Sequence, residues 1–100
     1  MSSTVRTGYV AECFWSGVRE EDLHELDGRI ETLVAELAGR DDRIGYLGSM
    51  LILDDEVVLC LFEGPISMIR LVTARSGIQF GRILTGTGAP WSRWSSRGTA

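Results

Sequence analysis

One hundred residues, 44% apolar and 24% charged, are enough for one domain with its own core and exclude wholesale disorder. No apolar run approaches the ~20 residues needed to cross a bilayer, and Met1-Ser2-Ser3-Thr4 opens no secretory signal, so a cytoplasmic protein without membrane contact is expected. The net charge of −4 argues against sequence-independent nucleic-acid binding, which needs a continuous basic face.

Residues 1–7 are polar and aperiodic and should fray. Gly8 to Trp15 (GYVAECFW) is rich in aromatic and β-branched residues and predicts a strand, broken by Ser16-Gly17. From Arg19 to Ala38 the apolar positions Leu23, Leu26, Ile30, Leu33, Val34 and Leu37 recur at helical spacing. Glu20, Glu21 and Asp22 load the first turn with negative charge, which suits the positive end of the helix dipole, and Gly39 supplies a stop. Arg43 to Leu53 and Glu56 to Glu63 predict a second and a third strand joined by a tight turn at Asp54-Asp55. Ser67 to Arg75 predicts a short second helix, and Gln79 to Leu84 a fourth strand. The segment 86–100 is small and polar apart from Trp91 and Trp94 and is expected to be an irregular tail, its tryptophans covering Met68 and Leu71 of the second helix. The order β-α-β-β-α-β over residues 8–85 predicts an α+β fold of the ferredoxin-like kind: an antiparallel four-stranded sheet with two helices on one face.

Charge is divided along the chain. All 14 acidic residues precede residue 64, together with five of the ten arginines; residues 64–100 hold the other five arginines and no acid. Cys13 and Cys60 lie inside apolar strand-like runs. Two cysteines are too few for a disulfide-built domain of this size, so buried reduced thiols are expected.

The third strand is apolar at every position from Val57 to Phe62, whereas an antiparallel sheet covered on one side should alternate apolar with polar. The second strand repeats the anomaly, with Tyr46, Met50 and Ile52 expected on one face and Leu47, Ser49 and Leu51 on the other. Two helices cover only one face, so the other is expected to meet a second copy of the chain, giving a homodimeric α+β barrel with an apolar space between the sheets. Phe14, Met50, Cys60 and Phe62 are the expected ligand-lining residues. Glu12 shares its face with Val10 and Phe14; a carboxylate facing an apolar cavity would have a raised pKa and could act as acid, base or ligand, the alternative being a carboxylate paired with an arginine or at the strand's wet end. Tyr46 and Ser49 complete the candidate catalytic set.

The segments YVAECFW, Tyr46-Leu47-Gly48-Ser49, Leu59-Cys60-Leu61-Phe62-Glu63-Gly64-Pro65 and Gly77-Ile78-Gln79-Phe80-Gly81-Arg82-Ile83 resemble the family known as domain of unknown function 4242, which includes a small actinobacterial nickel-binding protein. The resemblance runs from Gly8 to Leu84. It implies a ferredoxin-like fold, a homodimer and, in some members, metal binding. Where the family carries a histidine in the second helix, this chain reads Leu71-Val72-Thr73-Ala74, and His24 is the single histidine. Nickel favours imidazole nitrogen. No metal or other cofactor is therefore expected; Glu12, Cys13, His24 and Cys60 are the donors to inspect first if one binds.

No GxGxxG or P-loop pattern points to nucleotides, and a lone histidine leaves no evident base for a hydrolase. Three functional classes stay open. The first is a homodimeric binding module for a small apolar molecule or a metal. The second is a cofactor-independent isomerase, cyclase or oxygenase acting on an apolar or polyketide-like metabolite. The third is a structural or regulatory interaction domain.

Overall fold

The computed structural model describes residues 7–88 and Trp91. Its elements are β1 (Thr7–Phe14), α1 (Glu20–Ala38), β2 (Gly45–Ile52), β3 (Val57–Glu63), α2 (Ile66–Arg75) and β4 (Arg82–Thr87). The strands form one antiparallel sheet in the order β2-β3-β1-β4. This is the ferredoxin-like α+β arrangement. The first five elements fall close to their expected bounds. β4 begins at Arg82 rather than Gln79, because the chain between Ser76 and Gly81 is irregular; Gly86 and Thr87, expected in the tail, pair with β1 instead.

Helix α1 forms where the sequence places one apolar stripe, and Leu26, Ile30 and Leu37 are its buried residues. At its start the Asp22 carboxylate accepts the backbone N–H of Arg19 at 2.9 Å, satisfying one of the donors that a helix N-terminus leaves open. The two helices are tied together at the end of α2. Arg29 of α1 donates to the Ser76 carbonyl at 2.8 Å, and the fully buried Ser76 hydroxyl donates to the Thr73 carbonyl at 2.8 Å. The Ser76 backbone N–H donates to the same Thr73 carbonyl at 3.3 Å, so the end of α2 is closed by carbonyls of its last turn.

Side chains alternate along each strand, so each has a helix side and an open side. On the helix side, Ala11 and Cys13 of β1 and Val58, Cys60 and Phe62 of β3 pack with Leu26, Ile30, Ile69 and Val72 into the core. On the open side stand Val10, Glu12 and Phe14 of β1, Val57, Leu59 and Leu61 of β3, and Leu84 of β4. Their hydrophobic members are neither in the helix-side core nor packed against it. Phe14 is 69% exposed and Leu84 is 39% exposed.

β2 departs from simple alternation. Its pairing with β3 slips between Tyr46 and Gly48, leaving Leu47 as the extra residue of a β-bulge, with Gly48 at φ +119°. The slip reassigns every side chain after it. Tyr46 is opposite Phe62 and Ser49 opposite Cys60, so both face the helices. Gly48, Met50 and Ile52 are opposite Leu61, Leu59 and Val57 and face the open side. The expectation that Tyr46 shares a face with Met50 and Ile52 is corrected by this one added residue.

Trp91 also differs from expectation. The indole, 4% exposed, lies on Gly8 and Gly86, which face each other across β1 and β4, and its Nε1 donates to the Phe62 carbonyl at 2.8 Å. Gly8 belongs to the open-side series with Val10 and Glu12, so Trp91 covers one end of the open face, not helix α2. Met68 and Leu71, the expected cover sites, already pack against the core from α2. Trp94 lies outside the described residues. The absence of a side chain at both glycines is what admits the ring: a Cβ on either would collide with it. Gly8→Val should therefore expel Trp91, lower the melting temperature by several degrees, as expected for a loss of about 1–3 kcal/mol in a domain this size, and red-shift tryptophan emission. Thermal unfolding followed by fluorescence checks this.

Candidate functional site

Two polar groups are built into this sheet, one on each side. On the helix side, Asp27 of α1 lies four residues after Leu23 and three before Ile30, and so on the sheet-facing stripe of the helix. Tyr46 donates its hydroxyl to Asp27 Oδ1 at 2.5 Å, and Ser49 donates to the same oxygen at 2.7 Å. Residues three apart in a regular strand point to opposite sides, so it is the bulge at Leu47 that brings both hydroxyls to one carboxylate. The Tyr46 ring also packs on Phe62, centroids 5.1 Å apart.

Cys60 lies beneath this cluster. Burial is the main cause that pushes its thiol from the ordinary 9.0 up to about 12; Asp27 and Cys13 add to the rise, and the Tyr46 hydroxyl pulls partly back. Burial alone raises the Cys13 thiol, and burial together with Cys60 and Asp27 raises the Tyr46 hydroxyl far above its usual value. These groups hold their protons at neutral pH. A protonated thiol is a poor nucleophile, and the cluster works as a clasp between α1 and β2 rather than as an attacking group.

On the open side, Glu12 stands with Val10 and Phe14 as expected. Arg82, directly opposite on β4, donates from Nε to Glu12 Oε1 at 2.7 Å. The carboxylate over the apolar surface is thus paired with an arginine, the alternative that the sequence left open for Glu12. Phe14 and Met50, 69% and 53% exposed, stand on the same face. Cys60 and Phe62, grouped with them in the sequence reading, are fully buried on the helix side with Tyr46 and Ser49.

The four metal donors singled out by sequence do not converge. Glu12 is on the open face, Cys13 and Cys60 are buried reduced thiols on the other, and His24 is exposed on α1. Among the described residues no group of three or more His, Cys, Asp or Glu is placed to hold a metal ion. Asp27 is the residue the sequence reading missed. Its position within the buried stripe was the available signal, since an acid at a core-facing helical position must find donors.

The same fold is found in the crystal structure of SCO4226 from Streptomyces coelicolor A3(2), with a TM-score of 0.63 and 17% sequence identity over 76% of this chain and 90% of that one. At this identity the likeness concerns the fold alone. No protein-family model matches the chain, and no curated protein does. No helix among the described residues is long and apolar enough to cross a membrane.

Two outcomes test the helix-side clasp. Tyr46→Phe and Ser49→Ala should each lower stability by about 1 kcal/mol, and the double variant by more than the sum, because the second deletion leaves Asp27 Oδ1 with no donor; chemical unfolding of the four proteins measures this. The raised thiol gives a pH dependence of definite sign. The folded chain keeps a proton at Cys60 that the unfolded chain releases above about pH 9, so stability should be full below that pH and decline as pH climbs toward 12. Cys60→Ala should flatten the decline, and neither native thiol should react with a thiol-specific dye at mildly alkaline pH.

Proposed function

We propose that the chain is the protomer of a homodimer in which two open sheet faces pack together and enclose a small apolar molecule. The observation that carries the reading is the composition of that face. Val10, Phe14, Met50, Ile52, Val57, Leu59, Leu61 and Leu84 stand together opposite the helices, with Phe14, Met50 and Leu84 well exposed. Covering one such side chain contributes about 1.5–3 kcal/mol. Soluble monomers rarely leave so continuous an apolar patch in water. An identical sheet is the simplest cover, since it brings the same patch to itself about a two-fold axis.

The enclosed ligand is an apolar molecule rather than a metal ion, because Glu12, Cys13, His24 and Cys60 do not converge. Glu12 and Arg82 then form the polar edge of an otherwise apolar chamber, a composition common to small-molecule sites. Membership of the domain of unknown function 4242 family belongs to this reading, carried by the segments from Leu59 to Pro65 and from Gly77 to Ile83. A cytoplasmic setting goes with it, since two buried free thiols suit a reducing compartment.

Sedimentation at micromolar concentration should give twice the 11.0 kDa chain mass. The double variant Leu59→Glu/Leu61→Glu should sediment as a monomer with its circular dichroism intact, because neither residue belongs to the helix-side core. Native mass spectrometry of the wild type should carry additional mass from a retained organic molecule. A wild-type monomer with nothing bound would overturn the proposal.

A further inference from the structure

The bulge leaves β2 one residue longer than its ladder with β3 requires: the chain from Tyr46 to Ile52 is set against the shorter run from Val57 to Phe62. The extra residue has two places to go. In the observed register it is the bulge at Leu47, and the turn runs from Leu53 to Glu56. Passed along the strand, it would enter the turn, which would then begin at Ile52. Hairpin turns of both lengths are common. Tyr46 would keep its place opposite Phe62, while every residue from Gly48 to Leu51 would take the next partner and change sides.

Slot by slot, the sequence suits both arrangements. Opposite Val58, on the helix side, Met50 would replace Leu51; opposite Val57, on the open side, Leu51 would replace Ile52. Both are exchanges between apolar side chains of similar volume, the kind that packing tolerates best. Opposite Leu61, Leu47 would replace Gly48. Opposite Leu59, Ser49 would replace Met50, which is 53% exposed where it stands. The exchange opposite Cys60 is the one that is not neutral. Gly48 would replace Ser49 there, and Asp27 would lose the hydroxyl that donates to it at 2.7 Å, keeping that of Tyr46. Hydrogen bonds to carboxylates are among the strong ones. The turn adds two opposed terms. It holds Glu56 at φ +55°, a region that residues other than glycine rarely adopt. In that position the Glu56 carbonyl and carboxylate accept the N–H groups of Trp15 and Gly17, each at 2.9 Å.

We infer that β2 has two registers one residue apart, and that Ser49, acting through Asp27, is the positioning residue that selects the observed one. The second register presents a different open face, with Leu47, Ser49 and Leu51 in place of Gly48, Met50 and Ile52. In the dimer proposed above, a change of register is a change in the floor of the chamber, which gains a hydroxyl. The two registers themselves belong to the single chain and do not rest on that reading.

Nuclear magnetic resonance of the full chain tests this. Relaxation dispersion on the wild type should show exchange centred on residues 47–57, with a minor state of about 1%. Ser49→Ala should raise that population at least about tenfold, because it deletes the bond that separates the registers. Ser49→Val, whose side chain suits the open-side slot opposite Leu59, should make the second register the major one. Cross-strand contacts from position 49 to Leu59 and from Leu51 to Val57 should then replace those to Cys60 and Val58. Removing Leu47 takes away the extra residue, so in that background Ser49→Val should keep its contacts to Cys60 and Val58, which a general loosening of the strand would not explain. The inference is overturned if Ser49→Val retains the wild-type contacts with Leu47 present, or if the shift persists once Leu47 is removed. Should Ser49→Val fail to fold, the dispersion data decide: no exchange on β2 in the wild type and none in Ser49→Ala overturns the two registers. Sedimentation reports on the dimer separately, so a failure of the proposed function and a failure of this inference are told apart.

Discussion

Two helices can roof one side of a four-stranded sheet, and every other feature of this chain follows from that limit. The roofed side is sealed in the ordinary way, with Phe62, Ile69, Val72 and Ile30 fully buried and no buried side-chain polar atom among the described residues left without a partner. The unroofed side carries side chains of much the same character but, among the described residues, no cover beyond Trp91 at one end. The strands of a half-solvated sheet usually read as alternating apolar and polar. β3 does not, with Leu59 and Leu61 as apolar as Cys60 and Phe62. The strand sequence is thus apolar on both sides, of which the described residues bury one.

Much of this was legible before any coordinates. The helical period of α1 is carried by six apolar positions, and no competing pattern disturbs it. The continuous apolar run of β3 announced a strand apolar on both faces. What sequence could not show was the bulge in β2. Periodicity has no mark for an extra residue, and Tyr46-Leu47-Gly48-Ser49 reads as well with Leu47 in the ladder as out of it. Because strand faces repeat every two residues, that one ambiguity brings Tyr46 and Ser49, expected on opposite faces, to the helix side together. Trp91 was missed for a different reason. Its seat is defined by two glycines far apart in sequence, and a missing side chain leaves no apolar signal to match with a ring. The start of β4 was misplaced because Gln79-Phe80-Gly81 has strand-like composition, whereas the ladder with β1 begins at the Glu12–Arg82 pair, with Gly81 donating to the Glu12 carbonyl at 2.7 Å just ahead of it.

The division of charge along the chain has a structural counterpart. β1 belongs to the acidic portion and β4 to the basic portion, and they lie side by side at one edge of the sheet. Glu12 and Arg82 join the two at a directly opposed pair, and Arg29 reaches from α1 to the last turn of α2. Opposed charges across neighbouring strands add modestly to pairing, and an exposed pair of this kind is worth little by itself. Their larger effect is on register, since a one-residue slip of β4 would place Arg82 on the helix side and Ile83 in water.

The seat of Trp91 makes the edge of the sheet depend on chain that comes after it. Gly8 and Gly86 offer each other no side chain, so their part of the β1–β4 ladder lacks the cross-strand contact that normally supports a pair. The indole supplies that contact from above, as aromatic rings do over glycines in other sheets. Zipping of the last rungs of β4 and docking of the segment beyond it are therefore a single cooperative event rather than two. An edge strand whose closure is conditional in this way behaves as a latch: it holds as long as one ring stays seated, and when that ring leaves, the unpaired backbone of β1 is exposed along with it.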